Sequence, residues 1–302
     1  MTKQITVLKG GWSSEREVSL SSGAAVEKAL IELGYKVSSI DVQPDIAVVL
    51  TEKKPSLVFN ALHGRFGEDG CVQGMLEMLN IPYTHSGVLA SALAMSKPAA
   101  KRIFQAAGIR TPEGAVLKIS EILERPPFNM PFVVKPPNDG SSVGVKIIQS
   151  EEDLKILRKE HPERRMLVEP FIKGREIQVA VLDGEPLGAI EIRPKSGFYD
   201  YEAKYTAGKA DHIMPAPIPE GDYKEVLSLA AKAHQALGCR GLTRSDFRYD
   251  DKDLGPGMFY ILETNTQPGM TPLSLAPEIA GHVGISFNEL VKRLVDGARL
   301  GD

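Results

Sequence analysis

The opening of the chain constrains its fold more than any other stretch. A short apolar run, Ile5–Leu8, leads into Gly10-Gly11, and a helical pattern follows from about Val18 to Leu33. Ser14 and Glu17 stand three apart ahead of that pattern, the spacing of a capping box. Val37–Val42 and Leu57–Leu62 read as further strands, and Val72–Leu79 as a helix. Strand, glycine turn, helix, strand returns the chain in the same direction each time. The pattern predicts a parallel sheet, not a meander of hairpins.

From Gly87 the elements become shorter and mixed. Val88–Met95 is a helix of small residues, and Ser96-Lys97-Pro98 restarts a helix that runs to Ala107, with proline tolerated in the first turn. Phe132–Lys135, Val145–Ile148 and Met166–Phe171 read as strands around a Gly/Ser loop, Asn138–Gly144, and a helix at Asp153–Lys159. A strand pair is expected at Ile177–Leu182 and Leu187–Ile192. A long irregular segment, Arg193 to Pro219, follows; connections of that length are usually functional, often lids. Then come a helix at Tyr223–Leu237, strands at Leu242–Tyr249 and Met258–Glu263, and an amphipathic helix at Phe287–Leu294. With 302 residues the chain has room for more than one domain. We expect an α/β unit over 1–87, an α+β unit over 88–171 and a further unit over 172–302.

Charge excludes some partners. Lys and Arg number 36 against 39 Asp and Glu, a net of −3, so no global field attracts nucleic acid or an anionic membrane. No apolar run approaches the ~20 residues that span a bilayer, and Met1–Leu8 has no signal-type apolar stretch. Cys71 and Cys239 are far apart and in no metal spacing, and two buried thiols in a reducing cytoplasm are expected.

The polar residues of the last strand pair carry the sharpest chemistry. Arg244 and Asp246 share one strand face, as do Glu263 and Asn265. Pairing through the turn at 250–257 would bring the four together. Their oxygens suit Mg²⁺ or Mn²⁺, whereas a solvated sheet face with an Arg244–Asp246 pair is the plainer alternative. Gly140-Ser141-Ser142-Val143-Gly144 is a backbone suited to an anion, although no Gly-Lys-Ser/Thr follows and it is not a P-loop. Lys135, ending an apolar run, needs an anion nearby, whereas Lys97, in a first helical turn, reads as solvated. Glu15 lies at a helix start. His63-Gly64 follows a strand, where α/β ligand sites form, and Glu68-Asp69-Gly70 reads as turn and cap chemistry. The other histidines, His85, His161, His212, His234 and His282, show no metal spacing.

Taken together these blocks resemble the D-alanine–D-alanine ligases. The resemblance is carried by Val7-Leu8-Lys9-Gly10-Gly11, Ser14-Glu15-Arg16-Glu17-Val18-Ser19, Ala61-Leu62-His63-Gly64 and Gly67-Glu68-Asp69-Gly70. It continues in Lys135-Pro136, the Gly140–Gly144 loop, Phe198–Tyr205 and Glu263-Thr264-Asn265-Thr266-Gln267-Pro268-Gly269-Met270-Thr271. It runs in the family's order from about residue 5 to 295. It implies the ATP-grasp fold: an N-terminal Rossmann-like parallel-sheet domain, a central lid and a C-terminal catalytic domain. The implied reaction is ADP-forming: ATP phosphorylates one D-alanine carboxylate, and a second D-alanine's amine attacks the acyl phosphate. The dipeptide serves peptidoglycan synthesis.

The resemblance also implies roles. Asp246, Glu263 and Asn265 would hold two Mg²⁺ or Mn²⁺ ions. Lys97 and Lys135 would contact the α/β phosphates and Lys204 the γ-phosphate, with Ser142 in the loop over them. Glu169, Phe171 and Ile172 would line the adenine, where Pro170 lacks a donor but keeps its carbonyl, and Glu176 would bind the ribose. Glu15 would receive the first D-alanine's ammonium, with His63 near its carboxylate. Glu15, Ser141 and Tyr205 would form a hydrogen-bonded network under a closing loop, 199–208. Arg244 and the Gly269 N–H would form the oxyanion hole, and Ser274 with Leu275 would hold the second D-alanine. A homodimer in the cytoplasm is expected, with small molecules as the partners and neither nucleic acid nor membrane.

Departures stand at Ser245, Pro272 and Leu273, the latter two flanking the acceptor pocket. Tyr205 favours an amine over a hydroxy acid as acceptor. A ligase for D-lactate or D-serine is the alternative. A silent nucleotide-binding protein would have lost Lys135, Arg244 or a metal ligand, and none is lost. A nicotinamide enzyme would need Gly-x-Gly-x-x-Gly after the first strand, which is absent.

Overall fold

A computed structural model of the chain describes residues 3–138, 140, 144–195, 208–251 and 257–301. It opens with β1 (Gln4–Lys9), α1 (Arg16–Glu32), β2 (Lys36–Asp41), α2 (Ile46–Lys53), β3 (Leu57–Asn60) and α3 (Cys71–Met78). The strands form a parallel sheet in the order β2-β1-β3, as the opening pattern predicts. The turn after β1 depends on glycine. Gly10 has φ +75°, and a Cβ there would lie 2.2 Å from Asp41 Oδ1.

Two helices follow, α4 (Val88–Met95) and α5 (Lys97–Ala106). Next come β4 (Ala115–Lys118), α6 (Ile119–Glu124), β5 (Phe132–Lys135), β6 (Lys146–Ile148), α7 (Glu151–Leu157) and β7 (Arg165–Pro170). Their strands make a four-stranded antiparallel sheet, β4-β7-β5-β6, with its own apolar core of Ile119, Ile122, Phe132, Val134 and Leu157. The last part holds β8 (Arg175–Leu182), β9 (Glu185–Pro194), β10 (Ala210–Ile213), α8 (Glu220–Ala236), β11 (Leu242–Asp250), β12 (Met258–Asn265), α9 (Leu275–His282) and α10 (Phe287–Asp296). Its five strands form an antiparallel sheet in the order β10-β9-β8-β11-β12.

The cores cross the sheet boundaries. Ile5, Val7 and Phe59 of the parallel sheet share one buried cluster with Ala180, Ile190, Leu242 and Met270. Ala94, Ala100 and Phe104 of α4 and α5 pack against the opposite side of the five-stranded sheet, with Val179, Phe247 and Ile261. Helix α5 lies against the five-stranded sheet, and its Lys101 reaches Glu169 on the four-stranded one.

Several expectations are corrected. Ser14 does not cap α1. The Ser13 hydroxyl accepts the Glu15 N–H at 3.2 Å and donates to the His63 carbonyl at 2.7 Å, so the helix starts at Arg16 with Glu15 as its N-cap residue. The segment 193–219 is not irregular throughout. β9 runs to Pro194, and β10 pairs with it. Helix α2 was unread because its buried stripe is only Ile46 and Leu50. Helix α9 carries Pro277, which a first turn tolerates but a pattern search reads as a break. β4 and α6 also lay unread between longer elements.

Candidate active site

The β11–β12 ladder places the four polar residues as their spacing requires. Asp246 stands opposite Glu263 and Arg244 opposite Asn265, and the register shifts just after Asp246. Arg244 grips Asp246 with Nε and Nη2 at 2.7 and 3.0 Å, a two-point contact that fixes the guanidinium plane. Asn265 Oδ1 accepts the Gln267 N–H at 2.8 Å and so starts the following loop. Ser245 points to the other face and bonds Thr264 at 2.8 Å.

One cleft collects residues from distant parts of the chain: Glu15, His63, Glu68, Lys97, Gly140, Arg244, Glu263, Asn265 and Gly269. Glu15 is buried at the start of α1. Two glycines crowd its carboxylate: a Cβ on Gly64 (φ +70°) would lie 2.7 Å from Oε2, and one on Gly140 would lie 3.1 Å from it. Gly269 packs so closely on Ser274 that a Cβ would lie 2.7 Å from its Oγ. That Oγ also accepts the Thr271 N–H at 2.9 Å. The Leu275 side chain is buried in the core, so only its backbone, in the first turn of α9, is available to a ligand.

Lys97 is not solvated, contrary to what its place in a first helical turn alone suggests. It is buried and pairs with Glu263 at 3.0 Å. Lys135 has the anion that its burial demands, Glu169 Oε2 at 2.6 Å. Lys101 reaches the same carboxylate and donates to the Pro112 carbonyl at 2.5 Å. Burial pushes the Glu169 carboxyl up, but Lys135 and Lys101 outweigh it and hold the group below the usual carboxylate range. Burial lowers the Lys101 ammonium below its ordinary value, with Lys135 adding to the effect and Glu169 opposing it.

Glu176, Phe171 and Ile172 are gathered by a residue the sequence reading missed. The Arg248 guanidinium stands 5.7 Å from the Phe171 ring centre, donates to the Ile172 carbonyl at 3.2 Å and lies 3.9 Å from Glu176. Arg248 continues the alternation of Arg244 and Asp246, so the same period would have found it. Lys101, one helical turn from Lys97, was also missed. Ser141, Ser142, Lys204 and Tyr205 lie outside the described residues. Among the described residues no three His, Cys, Asp or Glu side chains gather in a metal-binding cluster. The β11–β12 set is two carboxylates and an amide.

Comparison with known proteins bears on the family and the fold. The family model for the D-ala D-ala ligase C-terminus matches residues 103–296, and that for the N-terminus matches residues 45–86. A D-alanine–D-alanine ligase from Paramagnetospirillum magneticum is 52% identical over 303 residues, covering 99% of each chain. The crystal structure of the Bacillus anthracis D-alanine–D-alanine ligase complexed with ATP superposes with a TM-score of 0.82 at 32% identity, covering 98% of this chain and 97% of that one. The VanG D-Ala:D-Ser ligase from Enterococcus faecalis gives 0.79 at 29% identity, covering 98% and 99%.

Proposed function

Since the chain belongs to the D-alanine–D-alanine ligase family, we propose that it joins two D-alanine molecules while converting ATP to ADP and phosphate. It is an ATP-dependent ligase with the fold of that family, and the dipeptide supplies cell-wall synthesis. The observation that supports the site assignment is the convergence of Glu15, His63, Arg244 and Gly269 on one cleft beside Glu263 and Asn265.

The chemistry follows from that cleft. A carboxylate oxygen of the first D-alanine attacks the γ-phosphorus of ATP, and ADP leaves. The second D-alanine's amine nitrogen attacks the acyl carbon, loses a proton, and the bond to phosphate breaks. Glu15, buried and fixed at a helix start, suits the first ammonium. Arg244, its plane set by Asp246, and the Gly269 N–H suit the oxygen of the tetrahedral intermediate. Ser274 stands behind Gly269 on the acceptor side, with the Leu275 backbone next to it. Lys97 and Lys135 suit the phosphates, and the segment held by Arg248 suits adenine and ribose, with Glu169 beside it. Ser141, Ser142, Lys204 and Tyr205 keep the roles that the family pattern implies.

Asp246, Glu263 and Asn265 offer only oxygen donors, which fits Mg²⁺ or Mn²⁺. Such ions, when bound, offset the charge on the transferring phosphoryl group. The units 1–87, 88–171 and 172–302 are supported by one sheet each. A homodimer and a cytoplasmic location rest on family membership. No described helix is long and apolar enough to cross a membrane.

The test is ADP release with MgATP and D-alanine, L-alanine, D-serine or D-lactate in turn, with products checked by mass. Dipeptide formed from D-alanine alone is the expected result. A mixed product would move the reading to a different acceptor, and no turnover with any of them would overturn it.

A further inference from the structure

Ser22 lies in the middle of α1, fully buried, where a small residue would suffice for packing. Its hydroxyl nevertheless has two partners from opposite sides of the cleft. Oγ accepts the Met270 N–H at 3.1 Å and stands 3.0 Å from His63 Nε2. Met270 follows Gly269 directly. His63 also carries Nδ1 at 3.5 Å from Glu68 Oε1, and that oxygen accepts the Gly64 N–H at 2.8 Å.

The donor count points to one direction for this chain, because Ser22 has no other acceptor for its proton among the hydrogen bonds of the described residues. The hydroxyl of Ser22 has one proton to give. The Met270 N–H takes one acceptor site of that oxygen, and we infer that the proton of Ser22 goes to its other neighbour, His63 Nε2. Nε2 is then the acceptor, and Nδ1 carries the hydrogen that faces Glu68. Both ring nitrogens are thereby oriented by the protein.

We propose that Ser22 is a positioning residue that holds the His63 side of the cleft in register with the loop carrying Gly269 and Ser274. The proposal rests on the ligase reading for its kinetic consequence, not for its geometry. Helix α1 provides the rigid span. Glu15 stands at its N-cap position, Ser19 one turn before Ser22 donates to the Ala61 carbonyl at 2.7 Å, and Val18 lies 4.0 Å from where a Cβ on Gly269 would be. Without the Ser22 hydroxyl, the buried Met270 N–H and His63 Nε2 both lose their partner at once. The loop would then be free to shift relative to His63 and Glu15.

Two measurements test this. Nitrogen-15 spectra of the histidine ring in the unmodified protein should show His63 as the Nδ1–H tautomer. An Nε2–H tautomer would overturn the proposal whatever any variant does. Steady-state kinetics of Ser22→Ala should then show D-alanine constants raised, or kcat lowered, by about 10- to 100-fold, the usual cost of a small misplacement of reacting groups. The KM for MgATP should stay within about twofold. Adding Ser22→Ala to a His63→Gln background should cost much less than it does alone, because neighbours in one network are not additive. Equal changes in the D-alanine and MgATP constants, full additivity, or unchanged kinetics in a folded variant would each overturn it. If the unmodified protein released no ADP with D-alanine, the ligase reading would fail, while the tautomer result would still decide the hydrogen-bond assignment.

Discussion

Lys97 and Lys101 stand one turn apart on α5, yet their ammonium groups pair with carboxylates on two different sheets. Lys97 reaches Glu263 on β12, and Lys101 reaches Glu169 on β7. One helix face thus joins the β11–β12 oxygen set to the strand that carries Glu169. Glu169 holds Lys135 as well. If Lys135 turns to a phosphate, Lys101 stays behind to neutralise the buried carboxylate.

Lys101→Met is therefore expected to damage both stability and nucleotide binding. Removing one partner of a buried pair costs about 3–5 kcal/mol. Lys135 would also be kept by Glu169, and the KM for MgATP should rise by about tenfold or more, as loss of one charge-assisted contact predicts. Urea denaturation and MgATP titration of the rate measure the two effects separately. A stable variant with normal MgATP affinity would remove Lys101 from this role.

Glu263→Gln keeps the shape of a side chain opposite Asp246 but removes its charge. Turnover should fall by about 100-fold or more, partly recoverable at high Mg²⁺, because hard cations bind carboxylate better than amide. Circular dichroism should be unchanged. Near-normal turnover at low Mg²⁺ would take Glu263 out of the metal site.

Gly64→Ala tests the crowding around Glu15. A non-glycine residue at φ +70° costs about 1–3 kcal/mol. The larger consequence is that the new methyl group would displace the Glu15 carboxylate, 2.7 Å away. The KM for the first D-alanine should rise more than that for MgATP. Equal changes in both would point to general unfolding instead.

His85 gives the fold a dependence on acid. Its ring is buried edge-on to Phe59, Nδ1 bonds Thr84 at 3.0 Å, and Nε2 has no hydrogen-bond partner among the described residues. Burial, with His63 and Arg240 nearby, pushes the imidazole down to about 3. The folded-state value lies below the unfolded one, so this contribution is complete above about pH 6.5 and is lost progressively toward pH 3. Between pH 7 and pH 5 the loss should be about 2 kcal/mol. His85→Asn, which tolerates the positive φ, should flatten that slope in denaturation at the two pH values. An unchanged slope would show that other groups cause it.

Local patterns made much of the fold legible. β5 and α4 run over Phe132–Lys135 and Val88–Met95, the spans their sequences predict. Arg244, Asp246, Glu263 and Asn265 were readable as a set because a strand alternates with period two and a short turn fixes the pairing. What was not legible depends on long-range partners. The burial of Lys135 implied an anion, but nothing local named Glu169. Ser22 looks like a small packing residue until Met270 is placed beside it. Lys101 looks like any helix surface lysine until the four-stranded sheet closes over it. Short elements such as α2 carry too few residues for a periodic signal, and tertiary packing rather than propensity stabilises them.

The loop that follows Asn265 is anchored at a great distance along the chain. Gln267 Oε1 accepts from Asn60 Nδ2 at 2.8 Å, across 207 residues, and Gln267 Nε2 donates to the Leu62 carbonyl. Contacts of such separation form late, because closing the intervening chain costs entropy before any contact rewards it. During synthesis, Asn60 must wait for more than two hundred residues to be made before its partner exists. The cleft therefore comes into being only after Gln267 has been made, and a nascent chain that stops short of Gln267 lacks the wall carrying Gly269.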